Sequence, residues 1–114
     1  MIDKKVKELV CVLNNFKGIQ TFSSCGGHKN PQSPQIGSGR FYVDFFVEPN
    51  KTGFQSLEQI NQLISNLFPT VRIFVGDVGG IEDGDDPCMC FEMKGRANPE
   101  VVAIALKDFL RGNE

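Results

Sequence analysis

From residue 40 to residue 48 the side chains alternate without a break. Phe41, Val43, Phe45 and Val47 fall on one face, and Tyr42, Asp44, Phe46 and Glu48 on the other. Successive side chains of an extended chain point to opposite sides, so this run is a strand with one buried face. A helix would spread the four apolar residues around its axis. The strand needs neighbours for its backbone and a cover for its apolar side, and the rest of the chain must supply both.

Three more stretches offer strands. Residues 19–24 are short and β-prone. Residues 70–75 place Val71, Ile73 and Val75 on one side. Residues 88–94 place Met89, Phe91 and Met93 inward and Cys88, Cys90 and Glu92 outward. The cover comes from helical patterns. In residues 2–16, Ile2, Val6, Leu9, Val10, Leu13 and Phe16 make one apolar stripe that Gly18 ends. Cys11 falls opposite that stripe and is expected to be exposed. Residues 54–68 carry Leu57, Ile60, Leu63, Ile64 and Leu67, and Pro69 stops them. Thr52–Gln55 and Ser56–Gln59 both have capping-box spacing, so two starts compete. Asn98, Pro99 and Glu100 open a last helix as N-cap, first-turn proline and first-turn acid. Val101, Val102, Ala105, Leu106, Phe109 and Leu110 form its buried side, and Gly112 ends it.

The order is α-β-β-α-β-β-α, and its last two-thirds read as a doubled strand–strand–helix unit. This predicts an α+β two-layer sandwich: a four-stranded, mainly antiparallel sheet with helices packed on one face. The 114 residues suit a single domain, 1–114. The other sheet face would show Tyr42, Asp44, Phe46, Arg72, Phe74, Cys90 and Glu92. That mixture is too apolar to be left to water, so a partner, a ligand or the first helix should cover it.

A net charge of −2 argues against a broad nucleic-acid surface. No apolar run approaches the roughly 18 residues of a membrane span. Four cysteines without an export signal read as reduced thiols of a cytoplasmic protein.

Chemistry concentrates in residues 21–28: Thr21, Phe22, Ser23, Ser24, Cys25, Gly26, Gly27 and His28, the single histidine. A long Gly- and Pro-containing loop follows, a feature usually tied to function or disorder. A strand ending in two serines, a cysteine and two glycines can turn successive N–H groups inward as an anion-binding nest. The hydroxyls of Ser23 and Ser24, the charge of Lys29, and Tyr42 and Asp44 from the next strand complete the expected ligand site. A thiol among N–H donors and beside a histidine is activated, which makes Cys25 and His28 the candidate catalytic pair. The expected ligand is an anionic small molecule or nucleotide. Whether a reaction follows, and with which cofactor, is left open. A non-catalytic assembly module using the open sheet face, including a homodimer, is the alternative. No metal is assigned, but Cys25 and His28 with Cys88 and Cys90 would make a Cys3His zinc set. The acidic run 82–86 lacks calcium-loop spacing and reads as a solvated turn.

The run from Ser23 to His28 resembles the Ser-Ser-Cys-Ser-Gly-Arg motif of the wybutosine-synthesis tRNA methyltransferase family. Ser23, Ser24, Cys25 and Gly27 match, Gly26 stands for a serine and His28 for the arginine. The resemblance implies a link to RNA modification, with S-adenosylmethionine acting on a guanosine derivative. The same run is also similar to small uncharacterised proteins with a Thr-x-x-Ser-Cys-x-Gly-His core, which implies no activity.

Overall fold

The computed structural model describes residues 3–28, 37, 39–79 and 88–112. The chain begins with a 3-10 turn, Lys4–Val6, that continues directly into α1, Lys7–Leu13. The elements that follow are β1, Ile19–Cys25; β2, Phe41–Val47; α2, Lys51–Leu67; β3, Val71–Gly79; β4, Cys88–Gly95; and α3, Pro99–Gly112. The four strands form one sheet in the order β1-β2-β4-β3, with every neighbouring pair antiparallel. No described helix is long and apolar enough to cross a membrane.

The alternation in β2 decides the two sides of the sheet. Phe41, Val43, Phe45 and Val47 are at most 2% exposed. Full burial of such side chains stabilises by roughly 1.5–3 kcal/mol each. They meet Met93 and Phe91 of β4, Leu9 and Leu13 of α1, Ile60 and Ile64 of α2, and Leu106 of α3 in one core. Phe16 stacks on Phe109 with ring centres 6.3 Å apart. All three helices therefore lie on the inner side, and α1 is not the cover expected for the outer one.

The first helix is shorter than the predicted 2–16. Asn14 ends it, because its amide is engaged with Thr21 on β1: Asn14 Nδ2 donates to Thr21 Oγ1 at 2.8 Å, and the Thr21 N–H donates to Asn14 Oδ1 at 2.9 Å. Gly18, at φ 81°, completes the turn into β1.

Neither expected capping box starts α2. Asn50 does, accepting the Gly53 N–H at 2.9 Å. Ser56 is buried instead, its hydroxyl donating to the Lys17 carbonyl at 2.6 Å. The stripe of α2 also ends early, since Leu67 is 54% exposed. On β3, Val71 is buried and Ile73 half-buried, but Val75 is exposed. β3 is an edge strand, and its register shifts between Val75 and Asp77, where a bulge breaks the alternation. α3 starts where expected. Asn98 Oδ1 accepts the Glu100 N–H at 2.9 Å, although Val101 faces solvent and Ala103 takes a core position.

Candidate functional site

The end of β1 leads into the Cys25 turn, and the start of the chain closes over it. Asp3 caps the 3-10 turn, with Oδ1 accepting the Lys5 N–H at 3.1 Å. Its other oxygen, Oδ2, accepts the Gly26 N–H at 3.1 Å and lies 3.3 Å from His28 Nε2. Lys5 Nζ donates to the Gly27 carbonyl at 3.1 Å. The two segments touch closely because Gly26 has no side chain. A Cβ there would run into Lys5 Cβ. Gly27 turns the chain at φ 95°, a left-handed value that glycine adopts without strain.

The Cys25 thiol is buried, at 4% exposure. Asp3, Cys25 and His28 bring one ligand atom each to within 4.8 Å of one another. Burial works to raise the Asp3 pKa, but the N–H groups of Lys5 and Gly26 and the nearby His28 and Lys5 outweigh it. The carboxylate is held below its ordinary value of 3.8. The Gly26 amide, expected to meet an external anion, thus already serves a carboxylate of the chain itself.

The expected pairing of Cys25 with His28 is present in space, and Asp3 joins it. Sequence reasoning missed Asp3 as a site residue. Its only local signal was that of an acid at a helix start, and nothing in the sequence links it to a turn more than twenty residues later. Cys90 does not join. It lies on β4 opposite Phe46, whereas Cys25 lies on β1 opposite Tyr42 near the other end of β2, so register prevents the Cys3His set from assembling. Lys29 and the acidic run 82–86 lie outside the described residues.

A second group of expected residues lies on the outer face of the sheet, arranged by register. One row runs Cys25, Tyr42, Lys94 and Arg72 across the four strands; the next runs Ser23, Asp44, Glu92 and Phe74. β1 shifts register between Thr21 and Ser23, which lets Phe22 lie over Phe46 with ring centres 4.3 Å apart. Phe22 and Phe74 are each 51% exposed. Ser23 is exposed, and Tyr42, Asp44, Phe46 and Glu92 are half-buried. Ser24 pairs with Val43, on the strand positions that face the core.

Asp44 and Glu92 are directly opposed. Burial, then a hydrogen bond to Glu92 and repulsion from its charge, push the Asp44 carboxyl up to about 7, while Lys94 pulls the other way. Asp44 therefore keeps its proton up to near neutral pH beside the facing Glu92. Asp44 Oδ1 is shut off from solvent without a hydrogen-bond partner among the described residues. The face therefore combines exposed aromatic rings, a hydroxyl-bearing edge, two cations in one row and two facing carboxyls in the next.

On the helix side, a groove of about 930 Å³ runs between the three helices, bordered by Cys11, Phe16, Ser56 and Ile104. None of the expected site residues lines it. No family model, no curated protein and no solved structure matches this chain.

Proposed function

We propose that this protein binds a nucleotide on the outer face of its sheet, beside the Cys25 turn, with the base on the aromatic side chains and the phosphate toward Lys94 and Arg72. The observation that carries the reading is the position of Phe22, stacked on Phe46 and half open to solvent on the face that no described helix covers. Bases stack on aromatic rings for roughly 1–3 kcal/mol each. Glu92, half-buried beside Asp44, supplies an acceptor for a base edge, and Tyr42 and Ser23 add hydroxyls. A single nucleotide or the end of a short RNA suits this face better than a duplex does, because the net charge of −2 gives no extended phosphate track. A nucleotide within RNA is also what the likeness of the Ser23 to His28 run implies.

Calorimetric titration with guanosine and adenosine monophosphates, a short single-stranded RNA and inorganic phosphate tests this. Binding of a nucleotide or the RNA, weakened about tenfold or more in Phe22→Ala and made less salt-sensitive in Lys94→Ala, is the expected result. Tyr42 is the single tyrosine and there is no tryptophan, so its emission reports from the same face. No heat with any nucleotide or RNA, or affinity unchanged in Phe22→Ala, would overturn the reading.

A further inference from the structure

Three donor atoms of different chemistry meet where the start of the chain crosses the end of β1: a carboxylate oxygen of Asp3, the Cys25 sulfur and a ring nitrogen of His28. The His28 and Asp3 atoms are 3.3 Å apart. Zinc holds nitrogen and oxygen ligands at about 2.0–2.2 Å in a tetrahedron, which places two such atoms roughly 3.3–3.6 Å from each other. We propose that Asp3, Cys25 and His28 form a binding site for a zinc-like divalent ion, with three protein ligands and a fourth position left for water or another ligand.

The surroundings suit that role. Ligating carboxylates are ordinarily fixed by outer hydrogen bonds. Both Asp3 oxygens already accept backbone N–H groups, one from Lys5 and one from Gly26, so the carboxylate is aimed before any ion arrives. The missing side chain at Gly26 is what allows this approach, since a Cβ there meets Lys5. Cys25 forms the closed side of the site, while the His28 side chain is 37% exposed and leaves a way in. A set of thiolate, imidazole and carboxylate favours zinc, cobalt or copper over magnesium and calcium, which prefer oxygen alone. The two residues between Cys25 and His28 match the short ligand spacing common at zinc sites. The third ligand comes from Asp3, far away in sequence, and not from Cys90, which the register holds at the other end of the sheet.

The site does not depend on nucleotide binding at the outer face. The test is a cobalt titration of the full chain after treatment with a chelator. One equivalent of Co²⁺ is expected to produce the visible bands of a tetrahedral ion and a sulfur-to-cobalt charge-transfer band, both bleached by one equivalent of Zn²⁺. Cys25→Ser should lose the charge-transfer band. His28→Gln, at a half-exposed position the fold tolerates, and Asp3→Asn should each weaken affinity at least about tenfold. Cys11→Ser and Cys90→Ser should keep every band. The proposal is overturned if the wild type shows no charge-transfer band at saturating cobalt, if the band survives Cys25→Ser, or if His28→Gln binds as tightly as the wild type.

Discussion

Asn14 and Thr21 hold each other by two hydrogen bonds, one from side chain to side chain and one from backbone to side chain. The pair fastens the end of α1 to β1, and so holds the strand that carries the Cys25 turn against the helical layer. Both bonds face solvent, which keeps each near the lower end of the usual 0.5–1.5 kcal/mol. Asn14→Ala is expected to cost about 1 kcal/mol, read as a lower urea midpoint with an unchanged slope. A midpoint equal to that of the wild type would show that the clasp contributes nothing.

Gly53 and Gly112 sit in helices but in opposite surroundings. A Cβ at Gly53 would strike the Glu48 carbonyl, and nothing lies within 4 Å of one at Gly112. Ala is the better helix former in general. Gly112→Ala is therefore expected to be neutral or stabilising by a few tenths of a kcal/mol. Gly53→Ala must push the start of α2 away from the β2 exit and should cost about 1–3 kcal/mol. Thermal midpoints of the two variants should move in different directions or differ clearly in size. Equal midpoints would contradict the close approach.

Asp44 gives stability a pH dependence of known sign. In the unfolded chain its carboxyl ionises near 3.8, and in the folded chain near 7. Between those values the unfolded state has given up a proton that the folded state keeps, so the contribution of this group falls as pH rises and levels off above about 7. Asp44→Asn removes the titration. The variant's stability relative to the wild type is expected to improve steadily from pH 4 to pH 7 and then stay level. A difference that does not change over that range would mean the folded Asp44 carboxyl is not raised above its ordinary value.

The layers and the order of elements along the chain were legible because they rest on local periodicity. Phe41 to Val47 alternate, Val6 to Leu13 recur on a helical period, and these patterns survive whatever the chain packs against. What was not legible depended on distant partners. Asn14 stops α1 because Thr21 is there to receive it. Asn50, not Thr52 or Ser56, caps α2, since Ser56 is drawn to the Lys17 carbonyl. Val75 follows the strand alternation, yet on the edge strand, just before its bulge, it lies in water. The site divided in the same way. Cys25 and His28 stood out as neighbours in sequence, while Asp3 reaches them only through the tertiary fold. Asp44 and Tyr42 could be named from one strand, but the opposition of Asp44 to Glu92 is a fact of register between strands far apart in the chain.

The strand order carries a consequence for how the sheet assembles. β1 with β2 and β3 with β4 are each antiparallel neighbours in sequence, so each pair can close as a hairpin over its own loop. The seam between β2 and β4 joins strands with α2 and β3 between them. Closing it spans a longer stretch of chain than closing either hairpin, and such non-local pairings slow folding. Asp44 and Glu92 face each other across that seam and nowhere else. Two half-sheets can therefore form before the carboxyls meet, and the repulsion between them is borne only at the joining step. Acidification, by protonating Asp44 in advance, is expected to speed that step.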